Sequence, residues 1–167
     1  MKKVLKYIGL AVAVLILVIA GWLLYIASSD IPTYETQAVD FTLKSSPEAI
    51  ERGAKLASML CASCHLNAET GRLSGKHMLD APKEFGEVYS QNITNDNNVG
   101  IGSWTDTELV YLFRTGIKRD GQYAPPYMPK LTEMADEDIN AVVAFLRSDH
   151  PLVAADASPD KPCKPSF

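Results

Sequence analysis

Residues Cys61-Ala62-Ser63-Cys64-His65 are the part of this chain whose types and spacing point most directly to chemistry. Two thiols three positions apart lie about one helical turn from each other, so both can add to the two vinyl groups along one edge of a haem. The imidazole that follows immediately then falls under the iron as an axial ligand. C-x-x-C-H is the attachment signature for c-type haem, and the small Ala62 and Ser63 let the backbone lie close to a porphyrin. Competing readings are weaker. A structural zinc needs four ligands, usually as two such pairs, and only Cys163, His77 and His150 remain, none paired with another. A thioredoxin-like dithiol would sit in a βαβ pattern, which the chain lacks.

Iron held by one histidine leaves a sixth position. Met59, Met78, Met128, Met134, His77 and His150 are the available donors. A lone Met is more often a gap-filling core residue than a ligand. Met128 stands apart because it lies in Ala124-Pro125-Pro126-Tyr127-Met128-Pro129. Three prolines hold their neighbours extended and lower the entropy of fixing the segment, so an irregular loop could present a thioether at one place.

The elements that must position these groups are mostly helical. Ser46 as N-cap, Pro47 at the first position and Glu48 in the first turn open a helix that runs into Cys61. Thr105 and Glu108 form a capping box for a second, with Leu109, Leu112 and Phe113 on its apolar stripe and Gly116 at its end. A third spans Asp136 to Ser148, with Ile139, Val142, Val143 and Leu146 at helical spacing and acids in its first turn. Leu66 to Trp104 shows neither strand alternation nor helical period. The fold class read from this is all-α, with a core too thin for so much loop unless a large apolar cofactor fills it.

Outside this domain, Lys2, Lys3 and Lys6 precede an uncharged apolar run from Tyr7 to Ala27. About 20 apolar residues suffice to cross a bilayer as a helix. The run exceeds a signal peptide's apolar region and lacks two small residues before Ala27, which favours an uncleaved anchor over residues 1–27. Trp22 and Tyr25 suit the aromatic belt and the lysines keep the amino terminus inside. This predicts a single-pass protein of the cytoplasmic membrane with its domain on the periplasmic side. Residues 28–45 read as a linker, 46–148 as the domain and 149–167 as a tail with Pro151, Pro159, Pro162 and Pro165. Within the linker, Val39, Phe41 and Leu43 alternate as if a short extended piece lay on the domain. Setting aside the three anchor lysines, 13 of the 16 basic residues remain against 20 acidic ones. That balance argues against nucleic acid as a partner.

From Ser46 to Ser148 the chain resembles a class I cytochrome c domain, and most nearly the monohaem units of cytochrome subunits in bacterial periplasmic dehydrogenases. The resemblance rests on ERGAKLASMLCASCH, FGEVYSQNIT, GIGSWTDTEL, RTGIKRDG, YMPKLTEMADEDI and AVVAFLRS, in that order. It implies a cytochrome c fold of three to five short helices around one covalent haem. Cys61 and Cys64 would attach it, His65 and Met128 would ligate the iron, and Asn92, Thr94 and Trp104 would line the haem and its propionates. Gly53 would let the first helix cross the last beneath Phe145. The chain departs in three places. It has one motif where dehydrogenase subunits usually string several, Gln91 replaces a common Pro, and Ala135 stands where a Ser or Thr cap is expected. The function implied is that of an electron carrier, not an enzyme, working between a dehydrogenase, oxidase or reductase and another redox protein. A fixed haem subunit of a membrane oxidoreductase is the alternative, ahead of a gas-sensing or peroxidase-like haem protein.

Overall fold

The computed structural model describes residues 2–29 and 32–163. Met1, Asp30 and Ile31 of the expected linker, and Lys164 to Phe167 of the expected tail, Pro165 included, lie outside the described residues. The chain divides into two units, Met1–Thr33 and Tyr34–Phe167. Among the described residues regular structure is entirely helical, with β-pairing confined to isolated bridges such as His77 with Tyr89.

The first unit contains helix α1, Lys2–Ser28. It is long and apolar enough to cross a membrane, and an 18-residue window within Lys3–Ser28 has a mean hydropathy of 2.8 with no residue buried inside the protein. It extends beyond the Tyr7 to Ala27 run at both ends, because the flanking lysines and serines are compatible with helix and no Pro or Gly stops it.

The second unit is built on a crossing of two helices. Helix α2, Pro47–Leu60, starts where Ser46 Oγ accepts from the Ala49 N–H at 3.1 Å. Helix α5, Asp136–Leu146, buries an unbroken stretch from Ala141 to Leu146. The two meet at Gly53. A Cβ there would collide with the carbonyl oxygen of Ala141 and stand 2.7 Å from Cβ of Phe145, itself fully buried. Only a residue without a side chain permits this approach. Helix α4, Asp106–Thr115, has both bonds of its capping box and ends on Gly116 at φ 78°. Ala135 makes no side-chain cap bond to α5. Instead Arg114 donates to the carbonyls of Leu131, Thr132 and Met134 and pairs with Asp136 at 2.5 Å, so α4 fixes the loop that leads into α5.

Two segments read as peripheral are attached to this core. Val39, Phe41 and Leu43 pack against it, and the Asn140 side chain bonds both the N–H and the C=O of Lys44 at 2.8 Å. Beyond α5 the chain makes a 3₁₀ turn, Pro151–Val153, that buries Val153 completely. The turn offers carbonyls to the long loop: Leu152 O accepts from Leu73 N–H and Val153 O from Asn95 N–H. Pro151 opens this short 3₁₀ turn, and the irregular chain beyond it still packs.

Candidate functional site

Helix α2 ends at Leu60, and one further turn, α3 (Ala62–His65), carries Cys64 and the imidazole directly after Cys61. Cys61 O accepts from the N–H groups of both Cys64 and His65, at 3.1 and 2.8 Å. This turn sets the thiols on one edge of an apolar cavity of about 300 Å³, within the range that holds organic ligands. Ile93, Ile101, Leu109, Leu112, Phe113 and Leu131 supply much of its wall. Cys61 and Cys64 are not bonded to each other, so both sulfurs are available to a third group.

His65 is fixed from behind. Its Nδ1 lies 2.7 Å from the main-chain carbonyl of Gln91. A carbonyl oxygen only accepts, so Nδ1 carries the proton and Nε2 is left with its lone pair, the arrangement a metal-binding imidazole requires. Nε2 takes no hydrogen bond from the described residues. Burial lowers the His65 pKa, opposed in part by the Gln91 bond, and so favours the neutral ring. Ser90 adds a second tie, its hydroxyl donating to Cys64 O at 2.6 Å.

The expected site residues divide. Met128, Asn92 and Trp104 line the cavity together with Cys61, Cys64 and His65. Thr94 does not: it is completely buried behind the wall, its hydroxyl donating to Asn92 Oδ1 at 2.7 Å and accepting from Asp156 N–H. Its short hydroxyl serves a buried polar knot here, as unpaired it would be costly. Asn92 spends its side-chain N–H groups on the carbonyls of Asp156 and Ser158, holding the tail to the wall. Of the other donors considered for iron, Met78 also lines the cavity. Met59 is exposed, Met134 packs on the core, His77 stacks on Tyr89 at 4.6 Å and His150 lies edge-on to Phe145 at 5.1 Å.

Residues that sequence reasoning passed over are also at the wall. They include Tyr89, Tyr127 and Asp160, an exposed residue whose carboxyl is pushed up by partial desolvation and held back by the Asn92 N–H. Gln91 acts through a main-chain carbonyl, for which residue type offers no signal. Asp160 is 68 positions from Asn92 and has no motif around it.

An apolar cavity with two thiols on one edge and one imidazole with Nε2 free is the donor set a covalent haem needs, and the residues fit that group. A family model described as cytochrome c matches residues 50–149. The chain belongs to the cytochrome c family. Its domain carries a covalent c-type haem, and Cys61 and Cys64 stand at the attaching spacing. This cytochrome c is 36% identical over 110 residues to a subunit of the nicotinate dehydrogenase of Pseudomonas putida, covering 64% of this chain and 9% of that one. It is 34% identical over 105 residues to the fructose dehydrogenase cytochrome subunit of Gluconobacter japonicus, 60% of this chain and 21% of that one. To the cytochrome c subunit of alcohol dehydrogenase (quinone) of Gluconacetobacter polyoxogenes it is 32% identical over 126 residues, 71% of this chain and 26% of that one. The matched part of this chain thus spans about a quarter or less of these relatives.

Proposed function

We propose that this cytochrome c is a membrane-tethered, single-haem electron carrier whose iron is bound by His65 Nε2 and Met128 Sδ. The haem, when bound, supplies a one-electron couple. What this chain's residues do is hold that couple still and dry. Cys61 and Cys64 fix one edge, and Gln91 and Ser90 brace the turn bearing His65. The apolar wall excludes water, and two protein ligands leave no open coordination position for a substrate. A Met axial ligand also raises the potential relative to other axial pairs. The observation that carries this reading is that His65, Met128, Cys61 and Cys64 line one apolar cavity.

Met78 lines the same cavity, so the choice between thioethers rests on which wall each comes from. The Met78 segment is tied to the histidine's own chain: Gly75 N–H donates to His65 O, Lys76 bonds Ser90, and Met78 N–H donates to Val88 O. The Met128 segment is hung from the end of α4, through Ala124 N–H to Gly116 O at 2.6 Å and Leu131 N–H to Phe113 O at 2.7 Å. A ligand opposite His65 is better supplied from the second.

Helix α1 serves in this reading as the anchor, with the haem domain on the periplasmic side of the cytoplasmic membrane. The relatives are cytochrome and other subunits of dehydrogenases, which supports a dehydrogenase as electron donor and an oxidase or reductase as acceptor. They equally support the alternative of a fixed subunit in such a complex. A gas-sensing or peroxidase-like role is disfavoured because, among the described residues, neither His77 nor His150 lines the cavity.

The test compares three single variants by near-infrared absorption and carbon monoxide binding. Met128→Ala should lose the sulfur–iron charge-transfer band and bind carbon monoxide. Met78→Ala and Met134→Ala should keep the band, the latter losing about 2 kcal/mol of packing, the low end for a Met→Ala change at a half-buried site. Survival of the band in Met128→Ala would refute the ligand assignment.

A further inference from the structure

The peptide unit that joins Gln91 to Asn92 is hydrogen-bonded at both of its poles. Its C=O accepts from His65 Nδ1 at 2.7 Å, and its N–H donates to Asp160 Oδ1 at 2.6 Å. Imidazole, amide and carboxylate are thus in series. Resting on the reading of His65 as an iron ligand, we propose that Asp160 is a positioning residue that lowers the reduction potential of the haem through the Gln91–Asn92 peptide.

The physical reason lies in the conjugated amide. An anion at the N–H draws the proton towards itself and shifts electron density onto the carbonyl oxygen, since hydrogen bonds in a chain polarise one another. A more electron-rich carbonyl is a stronger acceptor for Nδ1–H, and a histidine whose second nitrogen donates strongly is a more basic metal ligand. A more basic ligand stabilises oxidised iron, and second-shell hydrogen bonding is one of the protein's levers on haem potential. The bond from Asn92 is at the short end for an N–H donor, as expected of an ionised acceptor. Among the described residues no salt bridge draws on Asp160, and the Asn92 N–H is what favours its ionised form against the desolvation that raises its pKa.

The arrangement is braced on both sides. The Asn92 side chain is locked to Asp156 O, Ser158 O and the Thr94 hydroxyl, which fixes the plane of the peptide. Asp156 Oδ1 accepts from Ser158 N–H at 2.9 Å and turns the tail so that Asp160 follows at the wall. Gln91 needs no particular side chain for this, because both poles are main-chain atoms.

The experiment is a spectroelectrochemical titration of the full haem-loaded chain and its Asp160→Asn, Asp160→Glu and Asp120→Asn variants. Asp120 is the control: a carboxylate at the same wall that pairs with Lys118 at 3.0 Å and has no bond to this peptide. Asp160→Asn should raise the reduced-to-oxidised ratio at fixed poise about tenfold, which is 59 mV for one electron. It should also move the Asn92 amide proton upfield, leaving covalent haem content and the sulfur–iron band unchanged. Asp160→Glu should restore the potential. An unchanged potential in Asp160→Asn would overturn the inference, as would an equal rise in Asp120→Asn, which would mark a general field. Hyperfine coupling of the iron to 15N in unmodified protein labelled only at its histidines, which separates imidazole from the four porphyrin nitrogens, checks imidazole ligation separately. Its absence would sink the proposed function itself, whereas its presence with a null Asp160→Asn would sink only the role of Asp160.

Discussion

The Nδ1 of His65 lies 2.7 Å from the carbonyl oxygen of Gln91, 26 positions further along the chain. The acceptor is a main-chain atom and the Gln91 side chain is exposed, so the replacement of a common Pro by Gln leaves this bond available. Gln91→Ala should therefore keep covalent haem, low-spin iron and the midpoint potential of the unmodified protein. A clear shift in potential, read by spectroelectrochemistry, would show that the side chain itself takes part.

Gly53 tests the helix crossing. Gly53→Ala would gain about 1 kcal/mol of helix propensity but drive a methyl into the Ala141 carbonyl. Backbone cannot swing aside as a flexible side chain can, so overpacking of about 1–3 kcal/mol should prevail. Thermal unfolding should show a lowered Tm, and expression should yield less haem-loaded protein. A raised Tm would mean that α2 and α5 separate at no cost.

Cys163 is not a dangling thiol. Its Sγ lies 3.4 Å from both N and O of Tyr89 and 3.6 Å from the Tyr127 hydroxyl. Burial first, then the Cys163 contact, pushes the Tyr127 phenol up to about 12. A phenol whose folded value exceeds its ordinary value of about 10 stabilises the fold in its neutral form. That contribution is complete below about pH 10 and disappears as the pH rises through about 12. Cys163→Ala should move the tyrosinate absorbance step to lower pH without returning it fully to the ordinary value, because burial remains. Non-reducing gels should show no disulfide dimer of the unmodified chain. A dimer band abolished by Cys163→Ser would contradict this placement.

Helix α1 should keep the protein in the membrane fraction through high-salt and carbonate washes, if it serves as the anchor. A version beginning at Ser28 behind a secretion signal should be soluble and retain its haem spectrum. Native protein with an amino terminus near Ser28 would instead identify α1 as a cleaved leader.

Features that depend on near neighbours were legible before any folding was considered. Haem attachment was one, because its chemistry is confined to five consecutive residues, Cys61 to His65. The helices were others, because caps and apolar periods are local: Ser46 with Pro47, Thr105 with Glu108, and the run from Ile139 to Leu146. The helix crossing at Gly53 followed from family resemblance, not from spacing. Which donors reach the cavity emerged only from the folded chain. Folding left Met78 and Met128 at the wall and removed Met134, His77 and His150, whose residue types are equally suitable. It moved Thr94 behind the wall, where a buried hydroxyl finds two partners. It also brought the tail to the site, with Val153 in the core and Asp160 against the peptide beside His65. The bonds that tie Asp156 and Asp160 to Thr94 and Asn92 join main-chain atoms and side chains 62 and 68 positions apart. Neither periodicity nor residue type reports where a carbonyl points once the chain has folded back on itself.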